Sequence, residues 1–438
     1  MSEGGTNTPG STTVAENAPA ESSAVESSIL GMRTRFLLVA VFAAVISLLG
    51  LIPAGEGADF SDKMQHMFRS YTLGFIYTLA FGLGCVILNL LHNVTGGAWG
   101  FSIKRILMAG QKTIPYLGLL FIPLLIAANM GGEDYYPWAG EAREHDDILK
   151  NKELYLNEWF WTARAIAFFL IWYGIATLLN RKWKAYEDSG YDGVTGRNMR
   201  RLSAPLLIVY VLTMTFASFD WMMSLEPHWF STMYGALFCV GQVLTMLAFS
   251  LVVVNWLTRR APVFASHYAK KQFHDISALM FAFIVLWTYM SFAQFLIIWS
   301  GHLPEETTWY LNRTGGGWGG VMAFLGLFHF LIPFLLLLRL KWKKSAPFLY
   351  WCAAAMLVMR LVDLIWQIKP AFQDPTNPSL VDNLAFTDFS VPVAMVSLWF
   401  AMFANHLRKA PLMVLENGKL KTAYEEPETP FRAKVAPR

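Results

Sequence analysis

Charge is what this sequence has least of. Asp, Glu, Lys and Arg make up 15% of its 438 residues, where a soluble protein carries about a quarter. The hydrophobic share is 55%, with 33 Phe and 17 Trp, more than a soluble core can enclose, so the bulk of the chain must sit in lipid. A net charge of +4 is too small to point to nucleic acid. Cysteine is scarce too. Cys85, Cys239 and Cys352 lie far apart inside apolar runs, with no C-x-x-C or C-x-x-C-H and no Cys/His cluster. That argues against disulfides, c-type haem and iron–sulfur centres on this chain. Phosphate loops and metal-site spacings are absent from the sequence. A b-type haem needs paired histidines at bilayer depth, and no apolar run supplies two.

Lys and Arg are missing from residues 1–30, which are rich in Ser, Thr, Ala, Gly and Glu. Such a segment buries too little apolar surface to order itself and reads as a disordered cytoplasmic tail. It lacks the basic start of a signal peptide. Arg33 and Arg35 precede the run Phe36–Ile52, which reads as an uncleaved first span.

What is present is a series of apolar runs. A bilayer core of about 30 Å needs about 20 mostly apolar helical residues. Ten runs qualify: 34–54, 71–92, 112–130, 159–180, 203–225, 231–257, 275–300, 318–340, 346–368 and 388–408. Pro115 and Pro123 make the third the weakest. The expectation is an all-α integral membrane protein whose ten-helix domain covers 31–410, followed by a cytoplasmic tail over 411–438. Lys and Arg set its orientation. With the N-terminus inside, 26 of the 35 fall on cytoplasmic segments, among them Lys104, Arg105 and Lys112. Both termini are then cytoplasmic, and the loop 131–158 is acidic and outside. Trp159, Trp161, Trp229, Trp299, Trp309, Trp318 and Trp366 fall near the outer ends, as an aromatic belt would.

Spans two to five and six to nine read as two four-helix bundles, with the first and tenth spans flanking them. Each fourth helix ends alike, one with Asp220-Trp221 and the other with Asp363-Leu364-Ile365-Trp366. Repeats of this kind build sites between bundles. Ionisable groups in a span cost several kcal/mol unless they meet a partner or a water-filled space, so Asp220, Arg164, His329, Arg360 and Asp363 are the first candidates for function. Arg360 and Asp363 are three residues apart on one helix face, about 5–6 Å at Cβ, and can pair. They read either as a brace or as a proton path. Glu226 and His228 flank Pro227 in an outer turn, either solvated or docking an outer partner. Asp275, after His274, reads as a helix cap or an inner entry. Gln294, Tyr289 and Gln242 are polar groups inside spans, suited to interhelical hydrogen bonds or to linking an inner entry to the outer cluster.

Between 216–235 and 273–340 stand the strings FDWMMSLEPHWFSTMYG, HDISALMFAFIVLWTYMSFAQFLIIWSGHLPEETTWYL and HFLIPFLLLLR. They resemble the F subunit of alternative complex III, a bacterial quinol:electron-acceptor oxidoreductase, and the resemblance covers about residues 30–410. It implies the ten-helix architecture of polysulfide-reductase-like (NrfD-type) membrane subunits in a bacterial inner membrane. It also implies a chain without its own redox centre and a candidate proton conductor, in a complex that oxidises menaquinol or another quinol. The partners it implies are a NrfD-like sister subunit, an iron–sulfur subunit, multihaem and monohaem cytochrome c subunits and single-span membrane subunits. The haem c and iron–sulfur clusters would then belong to those partners. Two other readings are a second quinone-binding subunit of the same complex and a stand-alone proton-coupled transporter.

Overall fold

The computed structural model describes residues 18–52, 60–130, 135–140, 145–260, 268, 270–373, 378–416 and 419–423. Among the described residues, nine helices are long and apolar enough to cross a membrane, and a bent pair makes ten. They are α1 (Ala18–Leu49), α2 (Phe60–Thr95), the pair α3 (Ala98–Gln111) and α4 (Ile114–Met130), α5 (Glu158–Asp188) and α6 (Gly193–Trp221). After them come α7 (Met233–Arg260), α8 (Lys270–Gly301), α9 (Trp318–Leu338), α10 (Ala346–Ile368) and α11 (Thr387–Leu407). The protein is all-α and multi-pass. A hairpin of two residues per strand, Leu415–Glu416 with Lys419–Leu420, is a minor addition.

Helices α2 to α6 form one four-span bundle and α7 to α10 the other. The two meet along α2 and α7, whose apolar stretches are almost wholly buried, while α1 and α11 pack on each other and dock through α11 onto α2. Without a hydrophobic drive between helices in lipid, small residues decide where backbones can close up. Gly84 is one such point: a Cβ there would lie 2.7 Å from the carbonyl oxygen of Gln242 on α7. Gly241 is another, since a Cβ would fall 2.0 Å from Arg360 Nη2, so this glycine makes the room that the guanidinium occupies.

Helix ends follow local chemistry. Asn157 accepts from the Phe160 N–H at the start of α5, and Asp192 accepts from the Thr195 N–H at the start of α6. The Thr195 amide bond, with support from the Thr195 hydroxyl, holds the Asp192 carboxyl below its usual pKa. Proline shapes two breaks. Pro115 has no N–H for the Gln111 carbonyl, where α3 stops, and the chain turns 45° before α4. Pro333 likewise cannot donate to the carbonyl of His329, and the turn Gly326–Leu331 around that histidine widens into a π-helical stretch.

Three expectations change. Of the tail assigned to 1–30, residues 18–30 are helical and belong to α1, while residues 1–17 lie outside the described residues. The segment carrying Lys104 and Arg105 is helix α3 rather than a loop, with Lys104 wholly buried. The tryptophan belt is only partial. Trp159 and Trp299 are exposed, whereas Trp161, Trp229, Trp309 and Trp318 are buried in the protein, the wide rings filling space under the connections instead. Most of the C-terminal tail, 424–438, is outside the described residues.

Candidate functional site

The connections rich in Lys and Arg lie at one end of the bundles, here the basic end, and the charged residues of interest gather at the opposite end. In the first bundle Asp220 is fully buried one residue before α6 ends. Arg164, on α5, donates from Nε to Asp220 Oδ2 at 2.8 Å and from Nη2 to Oδ1 at 2.9 Å, a two-point match of guanidinium and carboxylate. The third guanidinium nitrogen donates to the Tyr155 carbonyl, and the rings of Tyr155 and Phe160 stack 3.8 and 4.4 Å from the Arg164 carbon. The Trp161 indole donates to the backbone carbonyl of Asp220 at 2.9 Å. Every strong group in this pair is met by protein.

The second bundle is different. Asp363 on α10 accepts from Arg360, one turn back on the same helix, and from Gln367 Nε2 at 2.9 Å. The i,i+3 pairing expected from the sequence is therefore formed, and both residues are buried. Beside them opens a cavity of about 340 Å³ between α8, α9 and α10. Its wall is aromatic (Trp287, Phe295, Tyr310 and Trp366 among others), with Asp363, Gln367 and Gln294 as polar points. Gln294 is 5% exposed, and its Oε1 has no hydrogen-bond partner among the described residues. His329 is fully buried in the π-helical turn, with neither ring nitrogen hydrogen-bonded among the described residues. The Trp287 ring lies 4.0 Å from the imidazole and lines the same cavity as Asp363.

The turn after α6 is built into the protein and is not merely solvated. Glu226 accepts from Arg313 at both carboxylate oxygens, Nη1 to Oε1 at 3.1 Å. Arg313 is fully buried, also donates to the carbonyls of Trp309 and Gln367, and stacks 3.9 Å from the Trp309 ring. His228 pairs with Asp146 across a groove of about 600 Å³. Burial would raise the Asp146 carboxyl, but hydrogen bonds from His228 and the amides of Ile148 and Leu149 outweigh it and hold the group below its usual pKa.

Two expectations fail at the level of placement. Asp275 does not cap α8: the helix starts at Lys270, and Asp275 lies within it, 3.2 Å from His274 Nδ1 at the basic end. Tyr289 points out of the bundle, 68% exposed. Gln242 does make an interhelical bond, accepting from the Tyr210 hydroxyl at 2.7 Å.

Sequence reasoning missed four buried charges. Arg313 hides in a glycine-rich connection, and only its odd place beside Trp309 marks it. Lys369 and Asp388 form an ion pair at 3.0 Å, both fully buried, with Ser70 donating to Asp388 at 2.7 Å. They flank one connection, and a charge at each end of it was the available signal. Lys104 donates to Asn89 at 2.6 Å and Asn93 at 2.7 Å and lies 4.2 Å over the Trp183 ring, a buried cation met by neutral groups.

The architecture and these pairs define a multi-pass helical membrane protein with charged groups buried at one end of each bundle. No known protein family matches the chain, and no curated protein matches it either.

Proposed function

We propose that the chain is an integral subunit of a quinol-oxidising respiratory complex in a bacterial inner membrane, with both termini cytoplasmic and no redox centre of its own, and that it moves protons. The observation that carries this reading is the group in the second bundle. Asp363 stands at the wall of a cavity, and His329, whose ring nitrogens have no partner among the described residues, packs on Trp287, which lines that same cavity. Buried polar groups are normally paired, and intramembrane Asp, His and Arg chains serve as relays. In the first bundle Asp220 is held at two points by Arg164 and braces α5 to α6 unless that pair opens.

Gentle purification tests membership of a complex: haem-bearing and iron–sulfur chains travel with this one, whereas a stand-alone transporter runs alone. Proton movement is tested in reconstituted complex. Asp363→Asn lowers the proton-to-electron ratio while quinol oxidation and assembly persist, and Asp220→Asn lowers it only if the Arg164 pair opens during turnover. Unchanged ratios in both variants remove conduction, and loss of assembly in both leaves two braces. The same cavity favours a second reading, a quinone-binding subunit, because a lipid-side aromatic pocket with Gln294 and Asp363 at its wall suits a ring with polar substituents. Quinone extracted with the native chain and lost in Gln294→Leu supports it, and equal quinone content in both does not.

A further inference from the structure

A second site lies at the other end of the molecule, on the face formed by α1, α4 and α11. An almost wholly apolar cavity of about 370 Å³ runs between these helices, lined by Val41, Ala44, Leu120, Ala394 and Leu398 among others. A smaller one of about 120 Å³ shares Leu120 and Leu398 with it and continues to Tyr116 and Met402. Together they form one groove along α11 from Val391 to Met402, about 16 Å at 1.5 Å per residue, close to half the thickness of a bilayer core. One leaflet's acyl chain fits that length.

The groove ends at a cluster of positive charge. Tyr116, its last ring, lies 6.0 Å from the His406 ring. Lys409 follows one turn on, its N–H on the His406 carbonyl at 3.3 Å, Lys112 stands four residues before Tyr116, and neither lysine pairs with a carboxylate among the described residues. His406 Nε2 is without a hydrogen-bond partner among the described residues. Lys112 and Lys409 are both exposed, and Arg33 and Arg35 lie just before Phe36, whose ring meets that of Phe400 on α11 at 5.0 Å. An apolar slot one leaflet long that opens under cations with no paired carboxylate among the described residues matches one kind of molecule on both counts. We infer that this face binds an anionic phospholipid, its phosphate between Lys112, His406 and Lys409 and one acyl chain along the groove. Basic pockets between membrane helices recognise anionic head groups in this way.

The test uses the full chain, or the complex that carries it, in nanodiscs of phosphatidylcholine with or without phosphatidylglycerol, and counts retained lipid by native mass spectrometry after mild extraction. The native protein retains phosphatidylglycerol in preference to phosphatidylcholine. Lys112→Gln and Lys409→Gln each weaken that preference about fivefold. Ala394→Phe fills the groove and lowers retention of phosphatidylglycerol without touching a charge. Should the double charge variant retain phosphatidylglycerol as the native protein does, the head-group site is wrong. Equal retention of the two lipids by the native protein overturns the proposal outright, and so does a partner helix found in the groove. If Ala394→Phe fails to fold, the charge variants, which lie on exposed side chains, still decide.

Discussion

At the scale of single residues, the charges at the end opposite the basic one differ in how completely they are matched. Arg313 is wholly enclosed and holds Glu226 at two points. Removing one partner of a buried pair leaves the other uncompensated, which costs roughly 3–5 kcal/mol. Glu226→Ala is therefore expected to lower the thermal midpoint in detergent sharply, whereas Glu305→Ala, an exposed carboxylate on the short helix Pro304–Leu311, leaves it nearly unchanged. The Asp146–His228 link behaves differently because it is solvent-exposed. The Asp146 pKa is depressed in the folded protein, so its contribution is complete above the ordinary aspartate range and is lost as pH falls through the lower folded value. Hydrogen exchange at the Ile148 and Leu149 amides should accelerate, beyond the intrinsic pH effect, only below about pH 4. Acceleration already at neutral pH would show that the aspartate is not the anchor. Asp220, Asp363 and the spacing of Arg360 could be read from the sequence, since a charge in an apolar run declares itself. Arg313, Lys369 and Asp388 are only weakly marked, because charges in or beside connections are common and only the fold shows that these ones are covered.

At the scale of helices, packing depends on a few close approaches. Gly84 faces a backbone carbonyl that cannot swing aside, unlike a flexible side chain. Gly84→Ala should push α2 from α7 and destabilise by about 1–3 kcal/mol, as overpacking does; a melting curve equal to the native one would show that the helices are less tightly apposed. The apolar runs located these helices well, but the helices extend past them, α1 back to Ala18 and α8 back to Lys270. Hydropathy marks the part that needs lipid and is silent on how far backbone hydrogen bonding continues into water. Helix α3 escaped for the same reason. Its Lys104 and Arg105 read as loop charges, and only the two asparagines one helix away reveal where the lysine goes.

At the scale of the molecule, ten spans in two bundles with α1 and α11 alongside follow from run lengths and their order; the pairing of α2 with α7 does not, because other spans such as α1 and α8 are as apolar all round. The distribution of Lys and Arg predicts an orientation that labelling can check. Ser189→Cys, in the connection between α5 and α6, should react with impermeant maleimide only from the cytoplasmic side, and Phe230→Cys, which is exposed in the turn between α6 and α7, only from the outside. The reverse pattern would invert the protein and every inside or outside assignment with it.

The two bundles hold their buried acids by unlike means. Asp220 draws its guanidinium from a neighbouring helix, Asp363 from its own. A small tilt of α5 against α6 therefore pulls opposite charges apart in low dielectric, turning displacement into a change in proton affinity. A tilt of α10 carries both members of its pair together and changes little. Relative motion of helices therefore strains the pair in the first bundle and leaves the pair in the second together.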